Sequence, residues 1–373
     1  MNMSLRNMPL LNSHGAIRGE VLGGIGFITL DRATALNALN LPMVRDITAL
    51  LLHWHGDPDV MAVVFQGAQG GTLTATFCAG GDLRFFHQAV LEGDTQLVDF
   101  FTEQYALDYL VHRYSKPIIA LLDGVTMSAG LGLVQGARLR VVTERSRLGV
   151  PDVHLGFFPD AGGGWFLSRC PGHTGEYLGL TGQTIGASDA LALGLADLRV
   201  MSADIPALVE ALVDQPMRSG EQVLATVHAH AVDPGVGLLA EHRGSIDAHF
   251  GAGNVADILA SLKRDTGPWA ARALAAMERA SPLMLAVTLE QIRRARSMEL
   301  AEVLRMERSL VRHCFAVRRG TGSECIEGMR ALVIDKDQAP RWNPATQAEV
   351  SNAMTQAFFE SPWPDWAHPL RAL

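Results

Sequence analysis

The chain has 373 residues, of which 48% are hydrophobic and 19% are charged. This composition supports a large buried core and excludes a disordered chain. The formal net charge of −8 argues against general nucleic-acid binding, which needs clustered Lys and Arg to neutralise phosphates. Four cysteines without a C-x-x-C spacing indicate a reducing compartment and argue against a disulfide framework or a zinc site.

The first 15 residues predict a flexible tail without a secretory signal. Their longest apolar run, at 8–11, is interrupted by Pro9 and is shorter than a signal core. No uninterrupted apolar stretch approaches the roughly 20 residues that span a bilayer. We therefore expect a soluble, cytoplasmic protein without a membrane partner.

Strand-like and helical patterns alternate after the tail. Asn40 is placed to cap a helix with Pro42 in its first turn. Short apolar runs predict strands, and apolar residues at helical spacing predict helices. The predicted strands are 25–30, 61–65, 117–122 and 139–143, and further predicted helices are 95–114 and 125–135. The pattern predicts an α/β core over 16–205, followed by a mostly helical region over 206–373 in which Ser281 and Pro282 open a helix.

Two glycine-containing segments are candidates for binding an oxyanion or a phosphate. In 78–82 (CAGGD), paired glycines permit positive φ, and a helix starting at Asp82 would aim free N–H groups at a ligand. In 123–132 (DGVTMSAGLG), a strand ends and a small-residue helix starts near Ser128. The alternatives are a plain tight turn for the first segment and close packing of a helix on a sheet for the second.

Asp152 and Asp160 form the candidate catalytic pair. They lie eight residues apart in an apolar segment rich in Gly and Pro. Few neighbours solvate them, so at least one is expected to be partly desolvated with a raised pKa. Such a pair suits acid/base chemistry. The alternatives are a turn residue for Asp152 and a helix N-cap for Asp160. Cys78 is interpreted as a buried structural thiol, and no His/Asp/Glu spacing predicts a metal site.

Three segments together resemble the crotonase (enoyl-CoA hydratase/isomerase) superfamily, namely 35–39 (ALNAL), 77–82 (FCAGGD) and 123–132. The resemblance implies an α/β fold with a ββα spiral core that binds an acyl-CoA, coenzyme A being part of the substrate and no separate cofactor being needed. It implies that the backbone N–H groups of Gly81 and Ala129 polarise the thioester carbonyl. The substrate contacts that it implies are Ala35, Leu36, Ala38 and Asp82.

Longer matches within the superfamily resemble the 3-hydroxyisobutyryl-CoA hydrolases. They include 156–163 (GFFPDAGG) and, near the C-terminus, 327–338 (EGMRALVIDKDQ). The resemblance covers about residues 16–350. It implies hydrolysis of a short branched or 3-hydroxy acyl-CoA in valine catabolism, together with the helical C-terminal region.

The hydrolase resemblance makes Asp152 and Asp160 catalytic, with two departures from its pattern. Asp152 stands where the hydrolases have a glutamate, which pulls the carboxylate back by about 1.5 Å, and a displacement near 1 Å can cost ~100-fold in rate. Gln104 falls where the hydrolases have a substrate-contacting glutamate. The first catalytic glutamate of the hydratases falls on Gly132, which disfavours hydration of a double bond.

Two other functions stay open at this point. One is an enoyl-CoA isomerase or hydratase-like activity that uses a single carboxylate, and the other is a CoA-binding paralogue without turnover. The expected partner is an acyl-CoA substrate, with no nucleic acid. The superfamily often forms trimers and hexamers, so a homo-oligomer is a further open expectation.

Overall fold

The computed structural model describes Pro9 and residues 11–68, 75–214, 217–317 and 322–373. Most of the predicted tail therefore lies outside the described residues. The strands are β1 Ile17–Leu22, β2 Ile25–Leu30, β3 Ala62–Gly67, β4 Thr76–Cys78, β5 Ile118–Leu122, β6 Val125–Met127, β7 Leu139–Val142, β8 Arg147–Gly149 and β9 Leu198–Arg199. The helices are α1 Leu41–His55, α2 Leu83–Glu92, α3 Gln96–Arg113, α4 Ser128–Gln135, α5 Gly163–Ser168, α6 Thr174–Thr181, α7 Ala187–Ala192, α8 Ile205–Asp214, α9 Gly220–Ala229, α10 Arg243–Phe250, α11 Val255–Arg264, α12 Pro268–Arg279, α13 Pro282–Ala295, α14 Leu300–Arg312, α15 Glu324–Met329 and α16 Asn352–Ala357.

The chain divides into two compact units, each assembled from separate stretches. The first contains Met1–Gly81, Leu107–Leu148 and Ile185–Gly237, and the second contains Asp82–Ala106, Gly149–Thr184 and Leu238–Leu373. The division predicted near residue 205 reflects a change in secondary structure rather than in compactness. Among the described residues, the last strand ends at Arg199, and the elements after it are helical.

The first unit is built on a six-stranded sheet with the order β1-β2-β3-β5-β7-β9, beside a three-stranded sheet with the order β4-β6-β8. Strand β1 pairs antiparallel with β2, and the other pairs of the large sheet are parallel. Continuous apolar runs suit such strands because helices cover both faces. Leu208 and Leu212 of α8 and Val223 and Val227 of α9 join the buried core of the sheet.

Helix α1 packs against the sheet through glycines on the strands. The Asn40 side chain accepts from the Met43 N–H, and Pro42 lies in the first turn, so the predicted cap is confirmed. A Cβ on Gly26 would lie 2.6 Å from the Trp54 ring, and one on Gly19 would lie 2.5 Å from the Leu50 side chain. Glycine at these two positions therefore lets the apolar face of α1 approach the strands.

The second unit is mainly helical. Helix α13 starts as predicted, with the Ser281 hydroxyl accepting from the Met284 N–H and Pro282 at the first position. Glycines again permit close helix packing, because a Cβ on Gly179 would lie 2.8 Å from Ile292 of α13. The Trp269 ring of α12 lies 5.5 Å from that of Tyr177.

These elements confirm the predicted α/β class with a helical C-terminal region. Among the described residues, no helix combines the length and the apolar character needed to cross a bilayer.

Candidate active site

Two parallel strands of the first unit bring the two glycine-containing loops together. Strand β4 pairs with β6 through Thr76 with Val125 and Cys78 with Thr126. The chain leaves both strands at the same edge, because parallel strands end together. A Cβ on Gly80 would lie 3.4 Å from the Ser128 side chain and 3.9 Å from the Ala129 nitrogen. The second loop therefore lies directly beside the first.

The predicted amide pair consists of Gly81 and Ala129. Beside Gly81, the first loop is held to the segment 35–39 by the Leu39 N–H, which donates to the Gly80 carbonyl at 2.8 Å. This hydrogen bond does not use the Gly81 N–H. Ala129 lies in the first turn of α4, where N–H groups have no intrahelical acceptor, and the capping residue Met127 provides no side-chain acceptor. The two residues of the predicted pair thus lie on neighbouring loops, as the predicted oxyanion hole would need.

The backbone at both loops adopts positive φ, with +105° at Gly80 and +46° at Ser128. Gly130 is needed for a different reason, since a Cβ there would lie 2.6 Å from the Cys78 sulfur. Burial raises the pKa of the Cys78 thiol to about 12. This confirms the interpretation of Cys78 as a structural thiol, because a nucleophilic cysteine needs its thiolate.

The segment 35–39 lies beside the first loop. Leu36 is 44% exposed, and its carbonyl accepts from the Ala79 N–H at 3.0 Å. Ala35 ends a short 3-10 helix, and the Ala38 carbonyl accepts from the Arg32 guanidinium at 3.1 Å. Arg32 therefore supports this segment, and the exposed Leu36 side chain is available for an apolar contact.

Asp82 and Gln104 belong to the second unit. The Asp82 carboxylate caps α2 by accepting from the Arg84 and Phe85 N–H groups. This confirms the helix predicted to start at Asp82. The capping role is separate from the substrate contact predicted for Asp82, which stays a prediction. Gln104 is fully buried on α3, next to Tyr105.

Asp160 is a buried carboxylate with an altered acidity. Its side chain is 5% exposed, and its Oδ2 accepts from the Tyr105 hydroxyl at 3.0 Å. Burial raises the pKa of Asp160 to about 7, although the Tyr105 hydroxyl opposes the rise by stabilising the carboxylate. An acid with this pKa exchanges a proton readily at neutral pH.

The alternative interpretation of Asp160 as a helix N-cap is wrong. Helix α5 is capped by Gly162, which supplies no side chain, and Asp160 contributes only its carbonyl, which accepts from Gly163 at 2.9 Å. The carboxylate at this helix start belongs to Glu307, whose oxygens accept from Gly162 at 2.7 Å and from Gly164 at 2.9 Å.

Glu307 and Tyr105 are site residues that the sequence interpretation missed. Burial raises the pKa of Glu307 to about 8, although two backbone N–H groups oppose the rise. Glu307 shares a face of α14 with the buried Val303 and Leu310. A carboxylate in the apolar stripe of an amphipathic helix was the signal that could have identified it.

Asp152 lies on a short 3-10 helix, Pro151–Leu155, and is 3% exposed. This turn is held by parts of the chain that come much later. The Ser281 N–H donates to the Val153 carbonyl at 3.0 Å. A Cβ on Gly328 of α15 would lie 2.3 Å from the Leu155 carbonyl oxygen. The C-terminal helices therefore fix the backbone that carries Asp152.

The acidic side chains of this region belong to no metal centre that the structure displays. Within the described ranges, no group of three or more His, Cys, Asp or Glu side chains is arranged to hold an ion. The first unit thus carries the amide pair, and the second unit carries Asp152, Asp160 and Gln104.

Comparison with known proteins places the chain in a family. A family model described as enoyl-CoA hydratase/isomerase matches residues 25–359. The mitochondrial 3-hydroxyisobutyryl-CoA hydrolase of Gallus gallus is 36% identical over 343 residues, which cover 91% of this chain and 87% of that protein. The same enzyme of Xenopus tropicalis is 38% identical over 366 residues, covering 96% of this chain and 93% of that protein.

Two solved structures share the fold over nearly their whole length. A carnitinyl-CoA dehydratase from Mycobacterium thermoresistibile is 34% identical with a TM-score of 0.85, covering 92% of this chain and 96% of that chain. An enoyl-CoA hydratase from Rhodobacter sphaeroides 2.4.1 is 36% identical with a TM-score of 0.82, covering 93% of this chain and 97% of that chain. The family model matches most of the chain, and these relatives are more than one-third identical to it over nearly their whole length. The chain therefore belongs to the enoyl-CoA hydratase/isomerase (crotonase) family.

Proposed function

We propose that this protein hydrolyses the thioester bond of a short branched or 3-hydroxy acyl-CoA. One observation carries the proposal. The chain has two buried carboxylates, Asp152 and Asp160, at the positions the hydrolases use, and Gly132 at a position where the hydratases need a glutamate. Relatives that match 91–96% of the chain are named as 3-hydroxyisobutyryl-CoA hydrolases, which supports the same reaction.

The mechanism assigns the amide pair to the carbonyl oxygen of the thioester. As that oxygen gains negative charge, the N–H groups of Gly81 and Ala129 stabilise it, and one such donor is typically worth about 3–4 kcal/mol. Asp152 attacks the carbonyl carbon or activates the water that does so. If Asp152 attacks, the carbon–sulfur bond breaks to leave a mixed anhydride on Asp152, which water then hydrolyses; if Asp152 activates water, the water oxygen enters the acid directly. Both routes form a carboxylic acid and the free CoA thiol.

Asp160 supplies the proton that the leaving sulfur takes up. Because its pKa is raised to about 7, a protonated fraction persists at neutral pH, which suits a general acid. An ordinary aspartate would be almost fully ionised there. The proposed reaction uses only water and the acyl-CoA, in which coenzyme A enters as substrate, and it needs no metal or redox cofactor.

The second candidate is a hydratase-like activity on an enoyl-CoA, which the names of the two solved structures favour. Product analysis separates the two reactions. Hydrolysis releases free CoA thiol, whereas hydration changes the double bond and leaves the thioester intact. Gly132 argues against the second reaction because glycine has no side chain that could transfer a proton.

The direct test is a thiol-release assay with a panel of short acyl-CoA esters that includes 3-hydroxyisobutyryl-CoA and 3-hydroxypropionyl-CoA. We expect release by the wild-type protein, and strong loss of release in Asp152→Asn and Asp160→Asn. Asp204→Asn, at an exposed position, is the matched control and keeps full activity. Measurable CoA binding without release from any ester would instead identify a silent paralogue.

We also propose that the protein works in a reducing, cytoplasmic environment. All four cysteines are buried free thiols, as such a compartment favours.

A further inference from the structure

We infer that Glu307 is a positioning residue for the proposed hydrolysis, holding the loop that carries Asp160 from a helix distant in sequence. The inference rests on the proposed function, since it concerns how Asp160 is presented for that reaction. Glu307 lies on α14, and Gly162, which it binds, lies 145 residues earlier in the chain.

The first observation is the way in which the Glu307 carboxylate binds the loop. Its Oε2 accepts from the Gly162 N–H at 2.7 Å, and its Oε1 accepts from the Gly164 N–H at 2.9 Å. The two oxygens thus bind two N–H groups at the start of α5, and α5 has no capping side chain of its own. A glutamine at this position would keep one acceptor oxygen and place an NH2 group where the other oxygen now accepts.

The second observation is that Gln291 of α13 completes the hold on the loop. Its Nε2 donates to the Pro159 carbonyl at 2.6 Å and to Glu307 Oε1 at 2.8 Å. The backbone is therefore bound immediately before Asp160 and again two and four residues after it. Both Gln291 and Glu307 are fully buried, so water does not compete for these hydrogen bonds.

The third observation is that the loop backbone adopts an unfavourable conformation that needs such support. Ala161 has φ +54° and Gly162 has φ +82°. A left-handed conformation at a residue other than glycine is strained and persists only where the surrounding structure holds it. Without the Glu307 and Gln291 hydrogen bonds, the loop is expected to relax and to move Asp160.

Side chains on two elements face the Asp160 carboxyl. Tyr105 on α3 donates a hydrogen bond to it, and Glu307 on α14 interacts with it through its charge. Arg308, next to Glu307, acts on Tyr105. Glu307→Gln loosens the packing that keeps water from the Asp160 carboxyl. Better solvation favours the ionised form and lowers the pKa of Asp160.

The test compares Glu307→Gln with a matched variant on the same helix. Glu307→Gln keeps the size of the side chain but turns an NH2 group towards a hydrogen-bond donor. Glu302→Gln changes an exposed residue whose capping role glutamine preserves. For Glu307→Gln we expect kcat to fall about 10- to 100-fold while KM stays within about twofold, because the inference has the fully buried Glu307 act through the loop rather than on the substrate.

A second measurement follows Asp160 without turnover. In protein labelled with 13C at the Asp carboxyl groups, the Asp160 signal is identified by its absence from Asp160→Asn. We expect this signal to titrate at lower pH in Glu307→Gln than in the wild type and Glu302→Gln. If Glu307→Gln does not fold, Gly164→Ala replaces it, because its Cβ would lie 3.1 Å from Gln291 and 3.2 Å from Glu307.

The two measurements separate the inference from the proposed function. If the wild type releases no CoA from any ester, the proposed function fails, and the Asp160 titration alone decides whether Glu307 positions this carboxyl. A folded Glu307→Gln protein with the wild-type kcat and the wild-type Asp160 titration overturns the inference. A lost kcat with an unchanged Asp160 titration overturns it as well.

Discussion

Replacing Asp160 by asparagine is expected to stabilise the protein at alkaline pH while it stops hydrolysis. The cause is the burial of a carboxyl group that must ionise in a poorly solvated place. Its pKa rises from an ordinary 3.8 to about 7 in the folded protein. The stability that protonated Asp160 contributes is therefore fully present below pH 3.8, its pKa in the unfolded chain. It is lost as the pH rises through the folded-state pKa of about 7.

The magnitude follows from the shift in pKa. At 1.36 kcal/mol per unit, a change from 3.8 to about 7 corresponds to ~4 kcal/mol of lost stability above pH 7 and to ~2 kcal/mol at pH 5. Asparagine does not ionise, and its side-chain oxygen accepts from the Tyr105 hydroxyl as the carboxylate does. The advantage of Asp160→Asn over the wild type should therefore grow by ~3 kcal/mol between pH 5 and pH 8.5.

Denaturant unfolding at pH 5 and pH 8.5 measures this difference, with Asp204→Asn as the exposed control. The control is expected to follow the wild type at both pH values. The reasoning is refuted if Asp160→Asn and the wild type differ by the same free energy at both pH values. It is also refuted if the wild type is the more stable protein at pH 8.5.

Three further predictions follow from the same structure. Tyr105→Phe removes the hydroxyl that stabilises the Asp160 carboxylate, so the fall of kcat/KM above pH 7 should move to higher pH, and an unmoved profile contradicts this. Gly328→Ala places a Cβ 2.3 Å from a backbone carbonyl oxygen and should lower the free energy of unfolding by about 1–3 kcal/mol. The control Gly322→Ala points into open space and should leave the free energy of unfolding unchanged. Equal denaturation midpoints for the two variants would refute the packing argument. Gly130→Ala places a Cβ 2.6 Å from a buried sulfur and should lower kcat at least about tenfold by displacing the amide pair. Identical kcat values in Gly130→Ala and the wild type would exclude that displacement.

Features specified by neighbouring residues could be predicted well. The Asn40 cap and the Ser281-Pro282 helix start were confirmed because a cap depends on a side chain and the next turn of backbone. Burial of at least one of Asp152 and Asp160 was also expected from their apolar surroundings, and the structure buries both.

Features that depend on distant contacts could not be predicted. The hydrogen bond from Tyr105 to Asp160 joins residues 55 positions apart, and Glu307 acts across a still longer separation. Whether Asp160 caps a helix was also decided by a distant contact. Its place before a glycine run suggested a helix cap, but the capping residue of α5 is Gly162. The carboxylate that binds the start of this helix belongs to Glu307 of α14.

Local signals were thus sufficient for the α/β class and the family motifs, because each depends on short-range backbone preferences and on residue type. Tertiary packing alone decided the acidity of Asp160 and the conformation of its loop. Burial in a low-dielectric interior and hydrogen bonds from distant helices set both properties. No stretch of consecutive residues contains those partners together.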